Sequence, residues 1–242
     1  DTHAGAGMYS LNEGYATQNA EFDDGIAKVI TTSNLPKPLA DFVTQIKNFN
    51  PGNTLEFYPG SPAIAQDYLR ADDKMRLFEL HPSDCKLLIE NFGEQGKQVK
   101  IEMQDGFAGI KAYLPPPPRR AVVLIDPPYE DKQDYQRVVN CIKDSLTRFA
   151  TGTYMVWYPL LQREEPDDMI ENLLQLNAPN WLHVAMTTHA PSEDGYGMHG
   201  SGLFIINPPW TLPNVLAETM PILTQLLALD ETADYLLESQ IA

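Results

Sequence analysis

Apolar and polar positions along the chain follow two rhythms, and the change between them divides the molecule. Before Tyr58 the apolar residues recur at helical spacing. Leu39, Phe42, Val43 and Ile46 share one face of a helix predicted over 38–47, and a shorter helical pattern covers 25–30. Pro36, Pro38, Pro51 and Gly52 punctuate this stretch, so 8–58 reads as a small helical insertion. From Tyr58-Pro59-Gly60-Ser61-Pro62 onward, short apolar runs alternate with amphipathic stretches. Ser61 suits a helix N-cap and Pro62 the first helical position. Strands are predicted over 75–81, 99–103, 121–125 and 152–159, with helices over 83–92, 135–149 and 167–176. Two further strands, 181–188 and 202–207, form a terminal antiparallel hairpin, and a last helix covers 212–229. Such alternation predicts an α/β fold with a mostly parallel sheet.

Chemistry concentrates where three of these strands end. The first run closes on Glu79, the second on Asp105-Gly106, and the third, Ala121 to Ile125, on Asp126-Pro127-Pro128-Tyr129. In open α/β sheets the carboxyl ends of the strands are where ligands bind. An acid such as Glu79 suits two ribose hydroxyls. Asp105 suits an adenine amino group, with Gly106 letting the ring approach. Either acid alone also reads as a solvated turn residue. Asp1-Thr2-His3-Ala4-Gly5-Ala6-Gly7 opens the chain with a Gly-x-Gly after an acid, a loop in which the backbone at Gly5 can come close to a ligand; a plain turn is the alternative. His3 packs on a cofactor or caps the loop, and Ser61 caps its helix or meets an anion at the helix start.

Asp-Pro-Pro-Tyr resembles the catalytic motif of methyltransferases that act on exocyclic amino groups. The lone pair of such an amine is delocalised into the ring. Acceptors at the Asp126 carboxylate and the Pro127 carbonyl would draw its hydrogens and stabilise the positive charge that grows during attack on a sulfonium methyl. Tyr129 offers a stacking face for the base, or is a core residue behind a turn made by Asp126. A second string, Asn207-Pro208-Pro209-Trp210, follows the last predicted strand and fits the same pattern. Its position after the terminal hairpin reads as structural.

Charge narrows the partner. With 17 basic against 33 acidic residues, net -16, the balance argues against a broad electrostatic footprint for nucleic acid, and a nucleic-acid enzyme needs a local basic patch or a further basic segment. Two cysteines, Cys85 and Cys141, are too few for a disulfide framework or metal cluster and read as buried thiols of a cytoplasmic protein. No apolar run approaches a membrane span. The loop over 190–201, with His189, Gly195, Gly197, His199 and Gly200 in and around it, reads as a long hairpin connection or a substrate loop.

Taken together, Asp-Thr-His-Ala-Gly-Ala-Gly, Tyr-Pro-Gly-Ser-Pro, Glu-Leu-His-Pro-Ser-Asp, Asp-Gly-Phe and Asp-Pro-Pro-Tyr-Glu, in that order, resemble the bacterial large-subunit (23S) ribosomal RNA adenine-N6 methyltransferases, a family also described through the use of external DNA as a nutrient. The resemblance covers most of the chain, from Asp1 to about Trp210. It implies a Rossmann-like fold over 1–7 and 59–242, a seven-stranded sheet with an N-terminal strand ahead of Asp1, and an inserted helical subdomain over 8–58. It implies S-adenosylmethionine as cofactor, leaving as S-adenosylhomocysteine. The cofactor contacts would be His3, Gly5, Ser61, Glu79, Asp105, Gly106 and Asp126, and the catalytic residues Asp126, Pro127 and Tyr129. It also implies a basic, histidine-containing segment before Asp1. No metal is expected, because the sulfonium is already an activated donor. The expected partner is ribosomal RNA or another single-stranded nucleic acid, met by a monomer. Competing readings are a nucleic-acid-handling protein active in the use of external DNA, and a DNA adenine-N6 methyltransferase.

Overall fold

The computed structural model describes residues 1–11, 21–52, 54–94 and 96–241. It divides into two compact units, one of Asp1 and His3–Gly106, the other of Thr2 and Phe107–Ala242.

In the first unit, strands β3 (Met75–Phe78) and β4 (Val99–Glu102) pair in parallel, Phe78 opposite Glu102, with the helix Pro82–Phe92 between them in sequence. Parallel neighbours require such a crossover. The helix drives Leu88 and Phe92 into a core with Ala4, Ala63, Met75 and Leu77. Asp1 runs beside β3: its N–H group donates to Arg76 O at 2.9 Å, and its carbonyl accepts from Phe78 N at 3.0 Å. The loop that follows turns tightly. Gly5 and Gly7 both adopt left-handed backbone, φ 57° and 74°. A Cβ on Gly7 would lie 2.4 Å from the Phe92 ring, so glycine is required there for packing as well as for backbone.

The segment read as a helical insertion begins and ends on a ribbon that its helical periodicity gave no sign of. Strands β1 (Met8–Ser10) and β2 (Phe57–Pro59) pair antiparallel, Met8 opposite Pro59. The helices Ile26–Thr31 and Lys37–Asn48 lie between them in sequence. The longer one buries Val43 and Ile46 as its spacing predicts.

The second unit holds a five-stranded sheet in the order β5 (Val122–Ile125), β6 (Thr153–Leu160), β8 (Gly200–Ile206), β7 (Trp181–Thr187) and β9 (Asp234–Gln240). Only β5 and β6 run parallel; the other three pairings are antiparallel. The helix Gln133–Arg148 joins the parallel pair. One face of the sheet buries Ile125, Tyr154, Val156 and Phe204 with Val138 and Ile142 of that helix. The other face packs Leu182, Val184 and Ile205 against Met220 of the helix Leu212–Leu227.

This architecture is α/β; the described strands form sheets of two, two and five, not the single, mostly parallel seven-stranded sheet expected. β9 lies in what read as a featureless acidic tail. It is an edge strand whose Tyr235 and Leu237 turn inward while Asp234, Leu236 and Glu238 are exposed, so half its residues are polar for a reason only the sheet supplies. Cys85 and Cys141 are free and buried. Among the described residues no helix is long and apolar enough to cross a membrane.

Candidate functional site

Five of the residues singled out in the first unit surround one loop. The Glu79 carboxylate, just past β3, accepts the Gly5 N–H at 2.8 Å on one oxygen and the His81 N–H at 2.7 Å on the other. It therefore shapes the glycine loop. A carboxylate offers about four acceptor positions, so two remain for hydroxyl donors. Gly5 favours glycine by its left-handed backbone, and a Cβ there would displace the Tyr9 hydroxyl, 2.2 Å away.

Ser61 does not cap its helix. The cap position is Gly60, and Ser61 is the first residue of the helix Ser61–Gln66. Its hydroxyl instead donates to Asp1 Oδ2 at 2.6 Å, while Asp1 Oδ1 accepts the His3 N–H at 3.1 Å. Asp1 is thus an organiser that sequence reading noted only as the acid before a Gly-x-Gly. The His3 imidazole is half-buried, and that burial pushes its pKa down to about 4 against the opposing pull of the Asp105 charge. His3 is accordingly neutral at physiological pH. Asp105 is exposed beyond β4, and Gly106 is buried at the start of the next helical turn.

In the second unit, β5 ends at Ile125 and delivers Asp126 at the carboxyl end of the sheet. Asp126 is half-buried, and desolvation raises its carboxyl from 3.8 to about 6. Among the described residues its carboxylate accepts no hydrogen bond. Pro127 is buried and Pro128 exposed, so the turn is rigid and one-sided.

Tyr129 is placed differently from the stacking platform read in the sequence. Its backbone is left-handed, φ 56°, and turns the ring inward. Only 3% exposed, the ring packs 4.6 Å from Tyr135, and its hydroxyl donates to Trp157 O at 2.6 Å. That position leaves no open face for a base, and the core alternative describes it. A bulky residue with positive φ is strained, and here the buried hydrogen bond and ring packing hold it. Sequence shows an aromatic after two prolines but not which way the turn rotates it.

The second Pro-Pro string is at the wrong end of the sheet for this chemistry. Ile206 of β8 pairs with Tyr154, near the start of β6, so Asn207 emerges opposite the edge where β5 ends. Its amide donates to Ala150 O at 2.9 Å and Gly152 O at 2.8 Å, and its carbonyl accepts from Thr153 Oγ1 at 2.9 Å. The structural reading of Asn207 agrees with this geometry.

Comparison with known proteins gives one consistent result. The family model described as "Ribosomal RNA large subunit methyltransferase D, RlmJ" matches residues 1–238. A protein of Haemophilus influenzae named ribosomal RNA large subunit methyltransferase J is 40% identical over 239 residues, 98% of this chain and 84% of that one. Its Escherichia coli K12 namesake is 42% identical over 221 residues, 91% of this chain and 78% of that one. A crystal structure from Legionella pneumophila superposes with a TM-score of 0.90 at 32% identity, covering 99% of this chain and 86% of that one.

Proposed function

This chain belongs to the ribosomal RNA large-subunit methyltransferase J family, and from that premise we propose that it methylates the N6 amino group of an unpaired adenine in 23S ribosomal RNA, with S-adenosylmethionine as donor. The observation that carries this reading is Asp126: a half-buried carboxylate at the end of a parallel strand, followed by two prolines and with no hydrogen-bond donor among the described residues. Acceptor capacity left unmade at a strand end is what a substrate amine requires.

Bound S-adenosylmethionine supplies a methyl group on a sulfonium. Asp126 and the Pro127 carbonyl would accept hydrogen bonds from the two amine hydrogens, drawing the nitrogen lone pair out of the ring system toward that methyl group. They would stabilise the positive charge growing on the nitrogen until its surplus proton passes to water. At about pKa 6 Asp126 is ionised at neutral pH, as an acceptor must be. Tyr129 fixes the turn through Trp157 and acts as a positioning residue.

The first unit carries the residues read for the cofactor, and their donor set fits it. Glu79 keeps two acceptor positions for ribose hydroxyls, and Asp105 is exposed to receive an adenine amino group beside Gly106. The neutral His3 ring is suited to packing on the cofactor, whose sulfonium would disfavour an imidazolium. Gly5 and Ser61 are assigned to its methionine part, and Asp126 to the amine that takes the methyl group. The acidic chain binds RNA locally, as a monomer on an unpaired strand.

The test is incorporation of labelled methyl groups into protein-free 23S ribosomal RNA, followed by nucleoside analysis. Asp126→Ala is expected to bind S-adenosylmethionine within about threefold of the parent while losing turnover. A fully active Asp126→Ala protein, or label on any position other than adenine N6, would sink the proposal.

A further inference from the structure

With Tyr129 turned inward, an aromatic face for an unpaired base has to be sought elsewhere, first at the end of the sheet that carries Asp126. Strand register shows where to look. Ile125 of β5 pairs with Val156, and β6 continues from there to Leu160, which pairs with Gly200, itself opposite Thr187. The 188–199 connection therefore leaves the sheet from the same end as the Asp126 turn. On the β8 side its base lies about 10 Å across, two strand spacings away, and on the β7 side about 14 Å; both are about 10 Å further along the strand direction.

That connection is built rather than loose. His199 N donates to Leu160 O at 3.2 Å, Thr188 N to His199 O at 2.9 Å, and Ala190 N to Asp230 Oδ2 at 2.9 Å. At its tip Asp194 Oδ1 accepts from Ser192 Oγ at 2.7 Å and from Tyr196 N at 3.1 Å, and Gly195 N donates to Ser192 O at 2.9 Å. Left-handed glycines, Gly195 at φ 74° and Gly197 at φ 92°, bracket Tyr196. The result is an aromatic ring held 78% exposed, with Met198 beside it in sequence at 49%. A Cβ on Gly195 would lie 3.3 Å from Gln162 Oε1, which places the tip against the segment after β6. Arg163 in that segment is exposed and makes no ion pair among the described residues, in a chain of net charge -16.

We propose that Tyr196 stacks on an unpaired base of the RNA substrate at this end of the sheet, with Arg163 on a neighbouring phosphate. Isolated exposed aromatics are ordinary on protein surfaces. Three things set this one apart: a hydrogen-bonded turn carries it, its connection leaves the sheet from the same end as the Asp126 turn, and its tip rests against Gln162, the residue before the exposed Arg163. Stacking on an aromatic side chain suits any base, so Tyr196 supplies affinity and placement more than sequence readout. The inference rests on the RNA methyltransferase reading above.

Two measurements separate its failure from failure of that reading. Binding of protein-free 23S ribosomal RNA is measured without cofactor, and steady-state methyl transfer with it. Tyr196→Ala is expected to raise both the RNA Kd and the RNA KM by about 5- to 100-fold, with S-adenosylmethionine affinity unchanged. Tyr196→Phe should restore both, because the ring and not the hydroxyl is needed. Arg163→Ala should lower the slope of log Kd against log salt by about one. Unchanged RNA binding and KM in Tyr196→Ala, or a Phe variant as impaired as the Ala variant, overturns this proposal. Tyr196-dependent RNA binding by a parent protein that transfers no methyl group would overturn the reading of function and leave Tyr196 in place.

Discussion

Two turns of nearly the same sequence, Asp126-Pro127-Pro128-Tyr129 and Asn207-Pro208-Pro209-Trp210, end two strands of one sheet and come out as opposites. In the first, the leading side chain accepts no hydrogen bond among the described residues and the aromatic is buried. In the second, the leading side chain donates two bonds to the chain ahead of β6, and the aromatic is 77% exposed. Hydrogen bonding separates them. Asn207 has its polar groups satisfied by the fold, which makes it a clamp. Asp126 has been placed, at a cost in desolvation, where no described residue satisfies it and its acceptor positions stay open to a ligand. A short motif therefore names the atoms available and not the work they do.

The contrast is broken most forcefully at its leading residues. Asp126→Ala should lower turnover by about 10²- to 10³-fold, the range for removing a group aimed at developing charge, without lowering the thermal midpoint. Activity of the parent should fall about tenfold per pH unit below pH 6, as protonation turns Asp126 from acceptor to donor. The same group has the reverse effect on stability. Its folded pKa lies above its unfolded value of 3.8, so the folded state binds more protons between roughly pH 4 and 6. The contribution of Asp126 to stability therefore falls as pH rises through that window. Thermal melts should show this dependence, and Asp126→Ala should remove it.

Asn207→Ala tests the other turn. It should cost about 2–4 kcal/mol in chemical denaturation, from two lost side-chain bonds and a left-handed residue, φ 52°, that asparagine tolerates better than alanine. Specific activity of the folded fraction should be unchanged. A loss of turnover larger than the loss of folded protein would give this turn a part in the chemistry. The smallest effect is expected for Tyr129→Phe, which removes one buried hydroxyl bond to Trp157 O. About 1–2 kcal/mol of stability should be lost, with a modest fall in kcat and no change in RNA KM. A rise in RNA KM would return Tyr129 to contact with the base.

Much of this was readable along the chain because local rules and tertiary demands agree there. Strand β5 follows an apolar run rich in β-branched residues, β4 an alternating stretch and β3 a short run around Leu77 and Phe78, and Glu79, Asp105 and Asp126 fall at or just past their ends as the pattern predicts. The helix Lys37–Asn48 buries the face its spacing marks. What was not readable has particular causes. β1 and β2 are three residues each, too short for alternation to register. β9 is half-exposed at a sheet edge, so its composition resembles a tail. Ser61 sits in a good capping sequence, yet Asp1, sixty residues away in the chain, takes its hydroxyl.

By itself the sequence determined which chemical groups stand at strand ends, since hydrophobic periodicity and proline are local constraints on the backbone. Tertiary structure decided which way each group faces and what satisfies it. It turned Tyr129 into the core, carried Asn207 to the far edge of the sheet, and left Asp126 and Tyr196 at the near one. Those outcomes depend on strand register and on hydrogen bonds between residues distant in sequence, and no local pattern encodes either.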